Sequence, residues 1–236
     1  MGKNYAIILA GGTGSRMESD MPKQYLELLG RPVLYYSLDV FSKCEYVDGI
    51  ILVVGSFEEV SYCRTEIIDR YHIGKVEMIT VGGAERYESV SYGLRCIEGA
   101  DYVMIHDSAR CLIDEDTIRR TYMAAREHGA AVAAVPVKDT IKKGDPKGFA
   151  AESLNRDELW QIQTPQTFKA STVTSAYKLL MNEETLPKVT DDAMVVERYS
   201  DKPVKLAMGS YENIKITTPG DMIIAEAILS HRGHTT

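Results

Sequence analysis

Short apolar runs alternate with single helical stretches through the first 135 residues, and this alternation constrains the fold more than any other feature. Segments 5–9, Gly49–Val54, Val76–Val81, 102–105 and 130–135 are rich in Val, Ile, Leu and Ala and show little polar alternation. Runs of that kind suit strands buried on both faces. Between them, 32–44, 57–71, 87–97 and 114–128 carry helical spacing. In 57–71 the residues Val60, Cys63, Ile67 and Ile68 share one face, and Asp114 precedes its helix as an N-cap. Strands joined by single helices predict an α/β fold: a mostly parallel sheet with helices on both faces.

The rhythm breaks at Pro136. Residues 137–166 alternate polar and apolar around a Lys-Gly-Asp-Pro-Lys-Gly turn, which predicts a protruding β-hairpin arm. An arm buries little of itself, so a second subunit is the simplest thing for it to pack on. Helical spacing returns at 170–181 and after Asp191; 213–216 reads as a strand; Thr218 and Pro219 then open a final helix to 229. A length of 236 residues fits one domain, 1–236, with the arm 137–166 as a subdomain.

Ligands of open α/β sheets sit outside the carboxyl ends of the strands. The first strand empties into Leu-Ala-Gly-Gly-Thr-Gly-Ser-Arg-Met-Glu-Ser-Asp-Met-Pro-Lys, residues 9 to 23. Gly11, Gly12 and Gly14 allow the backbone to approach a ligand, and their N–H groups can converge on an anion. Arg16 offers a planar fork of donors and Lys23 a mobile point charge, both suited to phosphate oxygens. A plain turn with solvated charges is the alternative. The second Gly is not followed by Lys-Ser/Thr, so this is not a Walker A loop. Met17 stands where a dinucleotide fingerprint needs its third Gly, and 49–54 ends in Gly55-Ser56 without an acid for ribose, so a dehydrogenase is disfavoured. The segment points to a nucleoside triphosphate.

The other strand ends supply Gly82, Gly83, Arg86 and Ser89; His106, Asp107, Ser108 and Arg110; Lys138, Asp139 and Thr140; and Lys215, Thr217 and Thr218. Asp107 suits Mg²⁺, which is held by one or two carboxylates plus substrate phosphates. It could instead cap a helix or pair with Arg110. His106 has no second His at metal spacing and reads as a packed strand residue. No nucleophile–base pair stands out, so the substrate would bring its own nucleophile, and positioning and charge neutralisation would carry the reaction. Thr140, Arg156, Thr164, Thr190 and Lys215 are candidates for a second anion site. Arg156 and Thr140 lie on the arm, making the site composite if the arm belongs to a dimer partner; a solvated Arg156 beside Asp157 and Glu158 is the alternative.

A net charge of −7 argues against a nucleic-acid-coating protein. No apolar stretch reaches a membrane-spanning length. Four cysteines without C-x-x-C spacing read as free thiols of a reducing compartment, and the expected location is cytoplasmic.

On these residues the chain resembles the 2-C-methyl-D-erythritol 4-phosphate cytidylyltransferases of the non-mevalonate isoprenoid pathway. The resemblance covers nearly the whole length. It includes Leu9-Ala-Gly-Gly-Thr-Gly-Ser-Arg-Met17, Pro22-Lys-Gln-Tyr25, Gly82-Gly83 with Arg86 and Ser89-Val90, and Ile105-His-Asp-Ser-Ala-Arg110. It continues with Pro136-Val-Lys-Asp-Thr-Ile-Lys142, Leu159-Trp160, Gln163-Thr-Pro-Gln166, Thr190-Asp-Asp-Ala193 and Asn213-Ile-Lys-Ile-Thr-Thr-Pro219. The first block is shared with many sugar-phosphate nucleotidylyltransferases; the arm and Asn-Ile-Lys blocks are more specific.

The resemblance implies a Rossmann-like sheet, a homodimer joined by the arms, and Mg²⁺-dependent transfer of CMP from CTP to a polyol phosphate. It implies that Arg16 and Lys23 steady the transition state. It assigns CTP to Ala10, Gly11, Gly12, Gly82, Gly83, Ser89 and Ser108, and the metal to Asp107. It assigns the sugar phosphate to Thr140, Arg156, Thr164, Thr190 and Lys215, the first two reaching across the dimer. Cys111 follows Arg110 where the family usually has Pro, and Ser108, Glu18 and Ala84 also depart from common residues. Ribitol 5-phosphate cytidylyltransferase is the alternative within the superfamily, and a non-catalytic nucleotide-binding module the alternative outside it.

Overall fold

A computed structural model describes residues 2–12, 17 and 21–234. The chain runs β1 (Lys3–Ala10), β2 (Glu27–Leu28), β3 (Arg31–Pro32), α1 (Val33–Lys43), β4 (Gly49–Val54), α2 (Phe57–Tyr62), β5 (Val76–Val81), α3 (Arg86–Leu94) and β6 (Ala100–Asp107). It continues with α4 (Glu115–His128), β7 (Ala130–Pro136), β8 (Lys142–Gly144), β9 (Ala150–Ser153), β10 (Trp160–Lys169), α5 (Ala170–Leu180), α6 (Asp192–Tyr199), β11 (Lys205–Met208) and α7 (Pro219–His231).

Seven strands form one sheet in the order β11-β7-β10-β6-β1-β4-β5. β1 pairs in parallel with β4 and β6, and β4 with β5, so their carboxyl ends share one edge. β10 alone runs antiparallel, between β6 and β7. Alternate side chains of a strand point to opposite faces. Ala6, Ile8 and Ala10 of β1 and Ile50, Leu52 and Val54 of β4 enter one core, with Leu34, Leu38 and Phe41 of α1. Tyr5 and Ile7, with Ile51 and Val53, enter the other, with Val90 of α3 and Val173 and Tyr177 of α5. All six residues of β4 are buried, which is why it carries no polar alternation.

The local signals work as their chemistry requires. Asp114 accepts the N–H of Thr117, and Gly129 closes α4 at φ +88°. Thr218 and Asp221 form a capping box with Pro219 just inside α7. The expected helix 57–71 is continuous but changes geometry: beyond Tyr62 it becomes a π-helical stretch, Cys63–Asp69.

Two expectations are corrected. The arm expected at 137–166 is shorter, because Trp160–Lys169 joins the central sheet and leaves β8 and β9 as an exposed antiparallel hairpin. The alternation that suggests an arm strand there is that of a sheet strand whose first half is half solvated. Segment 213–216 is not a strand; it is a loop held by side chains, described below. The strand at that edge is β11, pairing in parallel with β7. Its sequence, Lys-Leu-Ala-Met, is too short to announce itself.

Candidate functional site

Because β1, β4, β5 and β6 end together, the loops that follow them meet at one edge of the sheet. Two clefts open there. One, of about 230 Å³, is lined by Gly11, Gly12, Lys23, Gly83, Ser89 and Ser108, together with Arg86, Asp107 and Lys215. The other, of about 270 Å³, is lined by Thr164, Gln166, Thr190 and Asp191, again with Arg86, Asp107 and Lys215. The shared wall of the two clefts is a charge cluster. Arg86 Nε lies 3.1 Å from Asp107 Oδ1, and Lys215 Nζ lies 2.7 Å from Asp107 Oδ2. Burial works against an Asp107 carboxylate, but Arg86 and Lys215 override it and hold its pKa well below the usual range. The Asp107 side chain therefore neither caps a helix nor takes a hydrogen bond from Arg110.

The glycine side is open by construction. A Cβ on Gly12 would meet no described atom within 4 Å, so the space beside it is open. Gly11 packs against the backbone of Val54. Ala10 offers its carbonyl to Gln24 Nε2 at 2.6 Å, which ties the first turn after Pro22 back to β1. Gly82 lies against the Ser89 side chain, whose hydroxyl accepts the Gly83 N–H at 3.2 Å and steadies the second glycine pair. Ser108 is buried and its N–H donates to Leu9 O at 3.0 Å, continuing β6 alongside β1. Lys23 reaches Ile216 O at 2.9 Å. Gly14 and Arg16 lie outside the described residues.

The second cleft is built by β10 and the loop after β11. Pairing slips between Ile162 and Gln166, and at that slip Thr164 turns inward. Its Oγ1 accepts the N–H of Asp107 at 3.2 Å and lies 2.9 Å from His106 Nδ1. His106 is fully buried against Phe41, and burial depresses its pKa to about 3, so it is a neutral packed residue as expected. Gln163 Nε2 donates to Ser210 O, Asn213 Nδ2 to Thr164 O, and Arg110 to Asn213 O at 2.8 Å. These bonds fix loop 209–216 against β10, and that loop delivers Lys215 to Asp107.

Thr140 and Arg156 are not brought to these clefts within one chain. Both are on the exposed arm, where Arg156 donates to Lys138 O at 3.1 Å. Four contributors were not assigned roles in the sequence: Asp192, Tyr177, Gln166 and Gln24. Asp192 is the largest omission. It has no exposed surface and takes both terminal nitrogens of Arg86, at 2.8 and 2.7 Å. In sequence, Asp191-Asp192 reads as a helix start; Asp191 is the cap, accepting the Met194 N–H. The signals for Asp192 are a second acid at the start of an apolar helix and its place in the Thr190-Asp-Asp-Ala193 block. Cys111, the departure after Arg110, is buried, and burial pushes its thiol up to about 12, leaving it unreactive.

Among the described residues no group of three His, Cys, Asp or Glu side chains could hold a metal by itself. Of the described carboxylates at the clefts, Asp107 is the one that lines both. One carboxylate completed by phosphates and water suits Mg²⁺ and not a structural transition metal. No helix among the described residues is long and apolar enough to cross a membrane.

Comparison with known proteins agrees with this arrangement. The chain is 48% identical over 226 residues to the 2-C-methyl-D-erythritol 4-phosphate cytidylyltransferase of Lachnospira eligens, covering 96% of this chain and 99% of that one. It is 45% identical over 229 residues to the protein of the same name from Lachnoclostridium phytofermentans, covering 97% of each. Its structure resembles the crystal structure of 4-diphosphocytidyl-2C-methyl-D-erythritol synthase from Anaerococcus prevotii, with a TM-score of 0.84 at 34% identity over 97% of this chain and 96% of that one. The family model for 2-C-methyl-D-erythritol 4-phosphate cytidylyltransferase matches residues 5–231, and the chain belongs to that family.

Proposed function

We propose that this protein transfers CMP from CTP to 2-C-methyl-D-erythritol 4-phosphate, releasing pyrophosphate. The observation that carries the reading is the Arg86–Asp107–Lys215 cluster standing between a glycine-lined cleft and a second polar cleft. Two substrates that must meet at phosphorus need that layout. CTP takes the first cleft, with its base and ribose against Gly82, Gly83 and Ser89. Its triphosphate lies along Ala10, Gly11 and Gly12, beside Ser108 and Lys23, and the sequence assigns Gly14 and Arg16 to the same phosphates. The sugar phosphate takes the second cleft, against Thr164, Thr190 and Lys215.

A phosphate oxygen of the sugar phosphate attacks the α-phosphorus, and the bond to the bridging oxygen breaks as pyrophosphate leaves. Lys215, whose side chain is 41% exposed, exchanges Asp107 for the incoming phosphate and orients it. Arg16 and Lys23 neutralise the charge that builds on the α-phosphoryl oxygens and the leaving group. No protein nucleophile is required, which agrees with cleft linings that hold no His or Cys among the described residues. Asp107 is the residue to hold Mg²⁺, which would supply further charge neutralisation at the phosphates.

Thr140 and Arg156 complete the second cleft from a partner's arm in a homodimer. The hairpin β8–β9 buries none of its own residues, which supports a second copy as what covers it. Four free cysteines, three of them buried, suit a reducing cytoplasm. The test is pyrophosphate release from CTP and Mg²⁺ with 2-C-methyl-D-erythritol 4-phosphate, run beside D-ribitol 5-phosphate. Release with the first alone is the expected result; release with the second alone would replace the substrate and keep the chemistry.

A further inference from the structure

The clefts need Arg86 and Asp107 in one fixed arrangement, and what fixes them lies behind both. Asp192 lines neither cleft. Its carboxylate receives the two terminal nitrogens of Arg86 as a fork, while Arg86 Nε points the other way to Asp107. The Tyr177 hydroxyl, buried in α5, donates to Asp192 Oδ1 at 2.5 Å. Gln166 Oε1 accepts the N–H groups of both Asp192 and Ala193 at 2.9 Å, which pins the start of α6 against β10. A guanidinium held by a bidentate carboxylate has its plane and position set.

We infer that Asp192, with Tyr177 behind it, is a positioning residue for nucleotidyl transfer. This rests on the function proposed above. Without the fork, Arg86 is a cation beside two phosphate-binding clefts with one carboxylate partner left, Asp107. It would swing onto substrate phosphates or clasp Asp107 from a new angle. With the fork, its charge is already answered, so it neutralises Asp107 Oδ1 from one side and leaves Oδ2 to Lys215. The choice of Asp at 192 is therefore a choice about the cleft, made through a buried side chain.

The experiment uses the full-length protein with two substitutions, Asp192→Asn and Tyr177→Phe. Asp192→Asn keeps the shape and removes the charge. Its kcat should fall at least about tenfold while the KM for CTP stays within about threefold. Removing one partner of a buried pair can also prevent folding. Tyr177→Phe is the safeguard, since it keeps the buried ring and removes a single donor; its kcat should fall by about threefold or more. The double variant should be no slower than Asp192→Asn, because both act through one carboxylate. The Nε–H resonance of Arg86, followed by NMR, should exchange slowly with solvent in the wild type and faster in each variant. Folded variants with wild-type kcat and an unchanged Arg86 resonance would overturn the inference. The NMR readout needs no turnover. A wild-type protein that released no pyrophosphate would count against the proposed function, and the resonance would still decide the role of Asp192.

Discussion

Replacing Lys215 by Ala separates a catalytic lysine from a structural one, because the two roles predict very different magnitudes. The Lys215–Asp107 pair is 2.7 Å long, with side chains 41% and 13% exposed. A pair that solvated on one side contributes at most about 1 kcal/mol. In a domain of this size that corresponds to a melting shift of roughly 2–4 °C. Asp107 keeps Arg86 at 3.1 Å, so its carboxylate stays ionised in the variant and no buried charge is orphaned. The catalytic loss should be larger. A charged donor aimed at the transferring group is worth about 3 kcal/mol, on the order of a hundredfold or more in rate. The assay is pyrophosphate release under saturating CTP, with thermal unfolding measured on the same preparation. Turnover within about threefold of wild type would refute the catalytic role. A melting point lower by about 10 °C or more would instead mean that Lys215 holds loop 209–216 in place.

Three further outcomes follow from the geometry. Mixing Arg156→Ala with Lys215→Ala, each nearly inactive alone, should restore about a quarter of wild-type activity if sites are shared across a dimer, since half the dimers are mixed and each has one intact site; no recovery would return Arg156 to a solvated arm residue. Gly12→Ala should leave thermal stability unchanged, because its Cβ would meet no described atom within 4 Å, while raising the KM for CTP; a lowered melting point with unchanged KM would show that the space is not the nucleotide's. His106 binds its proton with a pKa of about 3 when folded, against about 6.5 unfolded, so the unfolded state gains protons first as pH falls. Its contribution to stability is complete above the unfolded value and lost towards the folded one, amounting to about 2 kcal/mol between pH 6.5 and 5. Urea midpoints for wild type and His106→Gln should diverge in slope over that window; parallel profiles would contradict the burial argument.

The alternation of strands and helices was legible because each buried strand had to be apolar on both faces and each surface helix on one. Gly49–Val54 and Val76–Val81 keep their expected bounds, and Asp114 and Thr218 cap where capping chemistry puts them. The glycine pairs, Lys23, Asp107 and Ser108 were legible for a related reason: parallel strands deliver whatever follows them to one edge. Misreadings fell where local pattern carries no tertiary information. Half-solvated alternation is the same for an arm strand and for the outer half of Trp160–Lys169, so only pairing with Val132 to Pro136 separates them. Ile214 and Ile216 alternate like a strand, but their loop is held by Gln163, Asn213 and Arg110 instead of a ladder.

The sequence by itself determined the layers of the fold, the edge at which chemistry gathers and the charged groups available there, since these follow from periodicity and from what stands after each strand. Only the tertiary structure decided which charges pair. Asp107 is 21 residues from Arg86 and 108 from Lys215, and Arg86 is 106 from Asp192. Spacing cannot encode a meeting between residues so far apart in the chain. It happens because β6, α3, α6 and the loop after β11 converge on one buried point, where a carboxylate or a guanidinium must find a partner or remain in water.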